Sequence, residues 1–468
     1  MSNIQSDAFV FFGASGDLAY KKIFPALYAM VKRGTLSVPV IGVARTNWNL
    51  DQFRARAQES LEANGPLDRA VFDKLSRLLH YVSGDYNDPA TFNAVRHELD
   101  RACSPAYYLA IPPVLFGNVV ERLQESECSK GARVIVEKPF GTDLESARQL
   151  NAILLSKFPE KDIFRIDHYL GKRPVHNMLY ARFANSLLES FWYRGHVESI
   201  QITMAEEFGV QGRGQFYDQT GTMRDVIQNH LFQVLTNLTM DPPVRMDSES
   251  IRDEKVKVLK AIAPITTNSV LRGQFRGYKS EKGVAADSKT ETFAAVRLEI
   301  NSWRWQGVPI YIRAGKCLPV TCTEVLVRLR RPPRLFPQAS LPNHYRLRIT
   351  PDEVQALGMM MKSPSDEMLG EPIEMIARPE TGPEEMEAYE RLLHDAMAGD
   401  ATLFAREDYV EEAWRIVDPV LKANSQVYDY EPGTWGPDQI EQKIAPPDGW
   451  HNPAVKAPVG VEKKEKAA

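Results

Sequence analysis

Four stretches of this chain gather side chains that can do chemistry. Arg133–Gly141 reads RVIVEKPFG and Ile163–Lys172 reads IFRIDHYLGK, each a β-branched run ending in ionisable groups. In open α/β sheets the carboxyl ends of the strands line the ligand crevice, so charge accumulating there is informative. Lys138 or His168 alone is more often a surface residue. Lys138, Asp167, His168, Tyr169 and Lys172 together at two strand ends read as ligand contacts. The third stretch is the helix TMRDVIQNHLFQVLTNL, where Ile227, Leu231, Val234 and Leu238 form an apolar stripe bordered by His230. A lone histidine there is usually a core residue, but the Gly- and carboxylate-rich run Glu206–Asp218 leads straight into this helix and argues for function.

The fourth stretch, AFVFFGASGDLAYKKIFPALY, sets Gly13 and Gly16 after a strand and at the start of a helix. Glycines there let the backbone approach a pyrophosphate, whose charge meets the open N–H groups of the helix. Ser15 and Leu18 stand where the second and third glycines of G-x-G-x-x-G would be, so position along the chain carries the cofactor reading. The second strand, VPVIGVART, chooses the dinucleotide. It ends in Ala44, Arg45, Thr46 with no carboxylate for a ribose 2′-hydroxyl, and Arg45 suits a 2′-phosphate, so NADP is favoured and NAD stays possible.

The elements that must position these groups change character along the chain. Up to about Ile166 short continuous apolar runs alternate with helical patterns: Ala8–Phe12, Val38–Ala44, Tyr81–Ser83, Ala106–Ile111, Arg133–Val136 and Ile163–Ile166 are strands of a doubly wound parallel sheet. Helices are expected at Leu18–Lys32, kinked by Pro25, and at Asp51–Glu62. From Val197 longer strands follow one another: Val197–Phe208, Val270–Gly277, Glu291–Ile300, Val308–Ala314, Glu324–Arg330 and Tyr345–Thr350. They predict an α+β domain on one large, mainly antiparallel sheet, with helices at Thr222–Leu238, Ser248–Ala261, Pro383–Met397 and Arg406–Ala423. The expected division is a dinucleotide domain over 1–166, a second domain over 167–452 and a disordered tail over 453–468, with an irregular loop at Arg331–Leu341.

Composition bounds the function classes. The 468 residues are 43% apolar and 25% charged, with 57 Lys and Arg against 61 Asp and Glu, a net charge of −4. That balance argues against a nucleic-acid or anionic-membrane binder. The four cysteines are too sparse for a disulfide framework and lack zinc spacing, so no metal is expected and a cytoplasmic location fits. The N-terminus shows no signal peptide, and no apolar run is long enough to span a membrane.

GASGDLAYKKIFPALY, VARTNW, YLAIPP, RVIVEKPFG, RIDHYLGK, GRGQFYDQTGTMRDVIQNHLFQ, YIRAGKCL, YERLLHDAMAGD and AWRIVDPVL resemble, in order, blocks of the glucose-6-phosphate dehydrogenase family, from about Phe9 to Gly449. The resemblance implies a Rossmann-type domain followed by the sheet domain, and oxidation of glucose 6-phosphate at C1 with NADP. It implies that His230 is the general base and Asp167 its carboxylate partner. His168, Tyr169 and Lys172 match the phosphate contacts, and Lys138, Glu206, Asp225 and Lys316 the contacts to sugar hydroxyls. Gly13, Ala14, Ser15, Gly16, Asp17, Leu18, Arg45, Asp85, Tyr86 and Lys138 match the cofactor contacts, and a homodimer or dimer of dimers through the large sheet is implied.

Three positions depart from the family pattern. Thr321, beside Cys322, stands where a second basic residue commonly meets the phosphate; Arg173 replaces an acid and His176 a glutamine. One lost charge-assisted contact is worth about 1.5–3 kcal/mol. Arg173 or His176 could restore the charge, or the substrate could be a different or unphosphorylated aldose. A non-catalytic NADP-binding paralogue is the third reading, against which stand His230, Asp167, Lys172, Glu206 and Asp225, all present.

Overall fold

The structure, a computed structural model, describes residues 5–336, 341–364, 367–379, 382, 385–423 and 425–454. Strands β1 (Ala8–Phe12), β2 (Val40–Ala44), β3 (Leu79–Ser83), β4 (Pro105–Leu109), β5 (Arg133–Glu137) and β6 (Ile163–Ile166) carry the first sheet, and β7 (Val197–Ala205), β8 (Val270–Phe275), β9 (Phe293–Glu299), β10 (Pro309–Gly315), β11 (Cys322–Leu329), β12 (His344–Thr350), β13 (Val354–Lys362) and β14 (Gly370–Ala377) the second. Two short late strands, β15 (Phe404–Ala405) and β16 (Val427–Tyr430), join the first and second sheet respectively. The chain forms two compact units, the first of Met1–Tyr180, Thr236–Lys260 and Thr381–Asp418, the second of the remaining segments. Beyond the expected boundary at 166 the chain therefore returns twice to the first unit.

The first sheet has the order β15-β6-β5-β4-β1-β2-β3, parallel except for the antiparallel edge strand β15. Strand order reverses between β1 and β4, the place where such sheets open a ligand crevice. The residues of β1, β2 and β4 are all buried, as expected of strands covered on both faces. One face packs aromatic rings: Phe53 lies 6.1 Å from Phe11, 5.6 Å from Phe24 and 4.8 Å from Tyr81, ring centre to ring centre. Gly42 in β2 makes room for it, since a Cβ there would stand 2.4 Å from the Phe53 ring. The helix expected over Leu18–Lys32 is not one continuous α-helix with Pro25 inside it. Ala19–Ile23 instead runs in wide i→i+5 turns, and Pro25 falls in the first turn of the α-helix Phe24–Arg33, where its missing N–H costs nothing.

The second sheet has the order β14-β13-β12-β11-β7-β10-β9-β8-β16. It is mainly antiparallel, but β7 pairs with β10, and β8 with β16, in parallel. The hairpin β13–β14 and the strands β15 and β16 were not expected from the sequence. The helix expected at Pro383 begins at Ala388, and residues 383–384 lie outside the described residues. So do 337–340 of the proline-rich loop and 455–468 of the expected tail. Among the described residues no helix is long and apolar enough to cross a membrane.

Phe53 is fully buried among these rings. Phe53→Ala is expected to lower the stability of the first unit by about 3–5 kcal/mol in urea unfolding, the range for emptying an aromatic core site. A loss under ~1 kcal/mol would show that the ring cluster does not hold β2 to its helix.

Candidate functional site

At the crevice of the first unit the turn after β1 is packed closely against the neighbouring strand ends. Gly13 has φ +84°, and a Cβ on it would stand 2.2 Å from the Ala110 carbonyl oxygen after β4. Its N–H donates to Val43 O at 2.9 Å and to Tyr86 Oη at 3.0 Å. Tyr86 is buried and its hydroxyl donates to Val43 O at 3.3 Å, so this side chain braces the turn from beneath. Ser15 and Thr46 meet through their hydroxyls at 2.8 Å. Asp17 pairs with Lys21 on the surface at 2.9 Å. Arg45 is half exposed, 5.4 Å over the Tyr86 ring and 3.3 Å from the Asp85 carboxylate. The Asn87 backbone N–H and the Arg45 charge together hold Asp85 below the usual carboxylate range. A tight glycine turn between a strand and a helix, with a cation at the end of β2, fits a dinucleotide with a phosphorylated ribose.

The same unit holds a second group at the ends of β5 and β6. Asp167 is 3% exposed, and its Oδ1 accepts the Tyr169 N–H at 3.0 Å. The Lys172 ammonium lies 4.1 Å over the Tyr169 ring, and the His168 and Tyr169 rings meet edge to face with centres 5.2 Å apart. Burial lowers the Lys172 pKa, the Asp167 charge opposes that, and Lys22 adds to it. Lys138 precedes Pro139 through a cis peptide bond.

Sequence reasoning missed three residues here. The charge of exposed Lys22 on the wide-turned segment acts on Lys172, and the signal was the basic pair in AYKKIF. Lys255 is buried, 5.6 Å over the Tyr409 ring, its pKa pushed down to about 7 by desolvation against the pull of Asp167. Glu137, beside Lys138, accepts a short hydrogen bond from Tyr108 and another from Tyr389, and desolvation pushes its pKa up to about 7. Nothing in the sequence marked these two, because their partners lie far away along the chain.

Two positions weighed for the phosphate take definite states. His176 hydrogen-bonds the Leu170 carbonyl, and desolvation pushes it down to about 4, so at neutral pH it brings no charge. Arg173 Nε lies 3.5 Å from the Glu385 carboxylate, which shares its charge.

The second unit carries the remaining candidates. Lys316, 2% exposed at the end of β10, donates to Glu206 at 2.5 Å and lies 5.0 Å over the Tyr217 ring and 5.1 Å over Phe208. Desolvation pushes Tyr217 well above the usual phenol range, with the Asp225 and Glu206 charges adding to it. Glu206, Lys316, Asp225 and Tyr217 thus form one group, of which Tyr217 was missed. Thr321 takes no cationic role; its Oγ1 accepts the Glu207 N–H at 3.1 Å.

His230, 3% exposed, lies on Met223–Leu231, a segment of wide i→i+5 turns between the α-helices Gly214–Thr222 and Phe232–Thr239. Such turns inside α-helices are often found at functional sites. Asn229 stitches the widened turn: its Oδ1 accepts the His230 N–H at 2.6 Å, and its Nδ2 donates to Arg224 O at 3.0 Å.

Residues 10–177 match the NAD binding domain of glucose-6-phosphate dehydrogenase, and residues 179–451 match the C-terminal domain of the same enzyme. The chain belongs to the glucose-6-phosphate dehydrogenase family. Glucose-6-phosphate 1-dehydrogenase 1 of Mycobacterium tuberculosis is 43% identical over 465 residues, covering 96% of this chain and 97% of the relative. The crystal structure of glucose-6-phosphate 1-dehydrogenase from Mycobacterium avium superposes with a TM-score of 0.91 at 43% identity, covering 97% of this chain and all of that one. A glucose-6-phosphate dehydrogenase in complex with its substrate glucose-6-phosphate superposes with a TM-score of 0.88 at 36% identity, covering 96% of this chain and all of that one.

Glu137 gives this family member a pH signature. Its carboxyl normally titrates near 4.5 and here near 7, so the folded state holds a proton that the unfolded chain has released. Stability therefore falls as pH rises through that window. Thermal unfolding of Glu137→Gln should show a smaller drop in Tm between pH 5 and pH 8 than the wild type shows. Parallel curves for the two proteins would refute the shift.

Proposed function

We propose that this chain oxidises D-glucose 6-phosphate at C1 to 6-phospho-D-glucono-1,5-lactone with NADP+, an entry reaction of the pentose phosphate route. The observation that carries the reading is the relationship over both family domains, at 43% identity and over nearly the full length. NADP+ bound at the Gly13–Leu18 turn, with Arg45 on its 2′-phosphate and Asp85, Tyr86 and Lys138 nearby, supplies the hydride acceptor at nicotinamide C4.

His230 is assigned the general base. Its neutral imidazole takes the proton of the C1 hydroxyl as the C1–H bond gives up its hydride, and the electron pair of the O–H bond becomes the second bond of the lactone carbonyl. Asp167 is assigned its carboxylate partner, which orients the ring and stabilises the imidazolium. His168, Tyr169 and Lys172 are assigned to the phosphate. Glu206, Asp225, Lys316 and Lys138 are assigned to the sugar hydroxyls, where charged partners give shorter and stronger bonds. A homodimer or dimer of dimers through the large sheet and a cytoplasmic location complete the reading; free thiols at all four cysteines support a reducing compartment.

A second reading keeps the fold, His230 and NADP but places another or an unphosphorylated aldose in the site. It is favoured by Thr321 in place of a basic residue and by an uncharged His176. Steady-state kinetics separates the two: glucose 6-phosphate should exceed free glucose and other hexose phosphates in kcat/KM, and equal values for the free sugar would remove the first reading. His230→Asn should lower kcat on the order of 10²–10⁴-fold with cofactor affinity intact. An unchanged rate would take His230 out of the mechanism and favour a binding protein without turnover.

Cofactor choice is tested at Arg45. Loss of a charge-assisted contact worth about 1.5–3 kcal/mol should weaken NADP roughly 10- to 150-fold in Arg45→Ala and leave NAD nearly unaffected. Equal losses for both cofactors would refute the 2′-phosphate role.

A further inference from the structure

The helix that carries Asp225 and His230 begins on a built anchor. Met223, its first wide-turned residue, donates its N–H to Glu291 Oε1 at 3.1 Å. The other carboxylate oxygen accepts from Arg272 Nε at 3.0 Å and Nη2 at 2.7 Å. Glu291 is 1% exposed, so this paired carboxylate works in a desolvated place where charged hydrogen bonds are strong. The residue before the helix is held as well: Thr222 donates its N–H to Glu291 O at 3.1 Å, and its Oγ1 meets Tyr217 Oη at 2.8 Å. Gly221, at φ +66°, lets the carboxylate in, because a Cβ there would stand 2.6 Å from Glu291 Oε1. The neighbouring residue serves Lys316, whose backbone N–H donates to Thr292 O at 2.9 Å. One two-residue segment just before β9 thus fixes the main chain of Lys316 and the first turn of the His230 helix.

We infer that Glu291, gripped by Arg272, is a positioning residue for the reaction: it sets the origin of the helix and thereby the places of Asp225 and His230 against the sugar. The inference rests on the proposed oxidation of glucose 6-phosphate. It predicts that loss of the anchor harms sugar binding and turnover together and leaves the dinucleotide alone, because every contact of the anchor lies in the second unit. A carboxylate that only stabilised the sheet would change the melting temperature and the active fraction but not the KM for the sugar.

The test compares wild type, Glu291→Ala, Arg272→Met and the double variant Glu291→Gln with Arg272→Met, which keeps an oxygen for the Met223 N–H without setting an amide against a guanidinium. Glu291→Ala should lower kcat about tenfold or more, ~1.4 kcal/mol of barrier per factor of ten, and raise KM for glucose 6-phosphate several-fold. KM for NADP should stay within about twofold, since the decade in kcat is assigned to the sugar side alone. The double variant should recover most of the loss. Hydrogen exchange of the amides over 223–231 should speed up in Glu291→Ala and return towards wild type in the double variant. Should Glu291→Ala fail to fold, Arg272→Met carries the test through the same sugar-only pattern at smaller size. Unchanged sugar kinetics, equal losses for sugar and NADP, or unchanged exchange over 223–231 would overturn the inference. Absence of wild-type turnover with glucose 6-phosphate and NADP would overturn the functional reading instead, and the exchange measurement would still judge the anchor.

Discussion

A carboxylate taken almost wholly out of water has to be answered by its neighbours, and Asp167 is such a group. The neighbours differ in kind. The Tyr169 N–H gives one oxygen a backbone donor, while Lys172 and Lys255 bring positive charge from the adjoining turn and from the helix Ser248–Lys260. Both lysines lose basicity through burial, and the field of Asp167 offsets part of that loss. The same field reaches Glu137, Tyr389 and Tyr409 and helps keep them protonated. The charge states around the end of β6 are therefore coupled, and no one of them can be altered alone.

This coupling explains why the first unit is assembled from distant segments. Lys255 comes after the first strand of the second sheet and Tyr409 after most of it, yet both pack into the first unit, where Tyr409 lies under the Lys255 ammonium. A doubly wound sheet alone offers main-chain donors and strand ends; it has no element that can cover Asp167 from outside. The helices Ser248–Lys260, Ala388–Ala398 and Glu407–Lys422 supply that cover. Trp414 ties one of them to the end of β5 by donating to Phe140 O at 2.8 Å. The second unit meets the same physical demand with direct ion pairs. Glu206 answers Lys316 across two segments of the second unit, and Arg272 answers Glu291 within one of them.

What the sequence disclosed follows from how local each signal is. Strands β1, β2 and β4 to β6 were legible because they are buried and mostly apolar, whereas of β3, a half-buried edge strand, only Tyr81–Ser83 was read. Strand β14 was not, for it is an edge strand of sequence GEPIEMIA with mostly exposed side chains, and an edge tolerates Pro372 and glutamates that a central strand would reject. Strand β15 has two residues and β16 four, too short to show a period. Among the site groups, Gly13, Arg45 and the DHYLGK cluster announce themselves by residue type beside a strand end. Glu137, Lys255, Tyr217 and Glu291 do not, because each owes its role to a partner placed by tertiary packing. The wide turns around His230 were also hidden, since IQNH is compatible with an ordinary helix and only Asn229 caught between Arg224 and His230 reveals the extra residue per turn.

The net charge of −4 and the anionic ligands proposed for this chain are reconciled by where the charges stand. Many carboxylates are spent on surface pairs of the kind Asp17–Lys21 or Glu59–Arg56, which contribute little to stability and cancel locally. Cations at strand ends are treated differently. Lys172 is turned against the Tyr169 ring, and Arg45 lies over the Tyr86 ring beside a half-exposed Asp85. A ligand phosphate that displaces Asp85 from Arg45 exchanges one screened pair for another, so the discrimination at that place comes from geometry and from the second charge of the phosphate. A phosphate placed at Lys172, as proposed above, would meet a partly desolvated cation, where the attraction is larger than at a fully solvated one. Under the assignments proposed above, the weaker electrostatic grip falls to the dinucleotide at Arg45 and the stronger one to the sugar phosphate at Lys172.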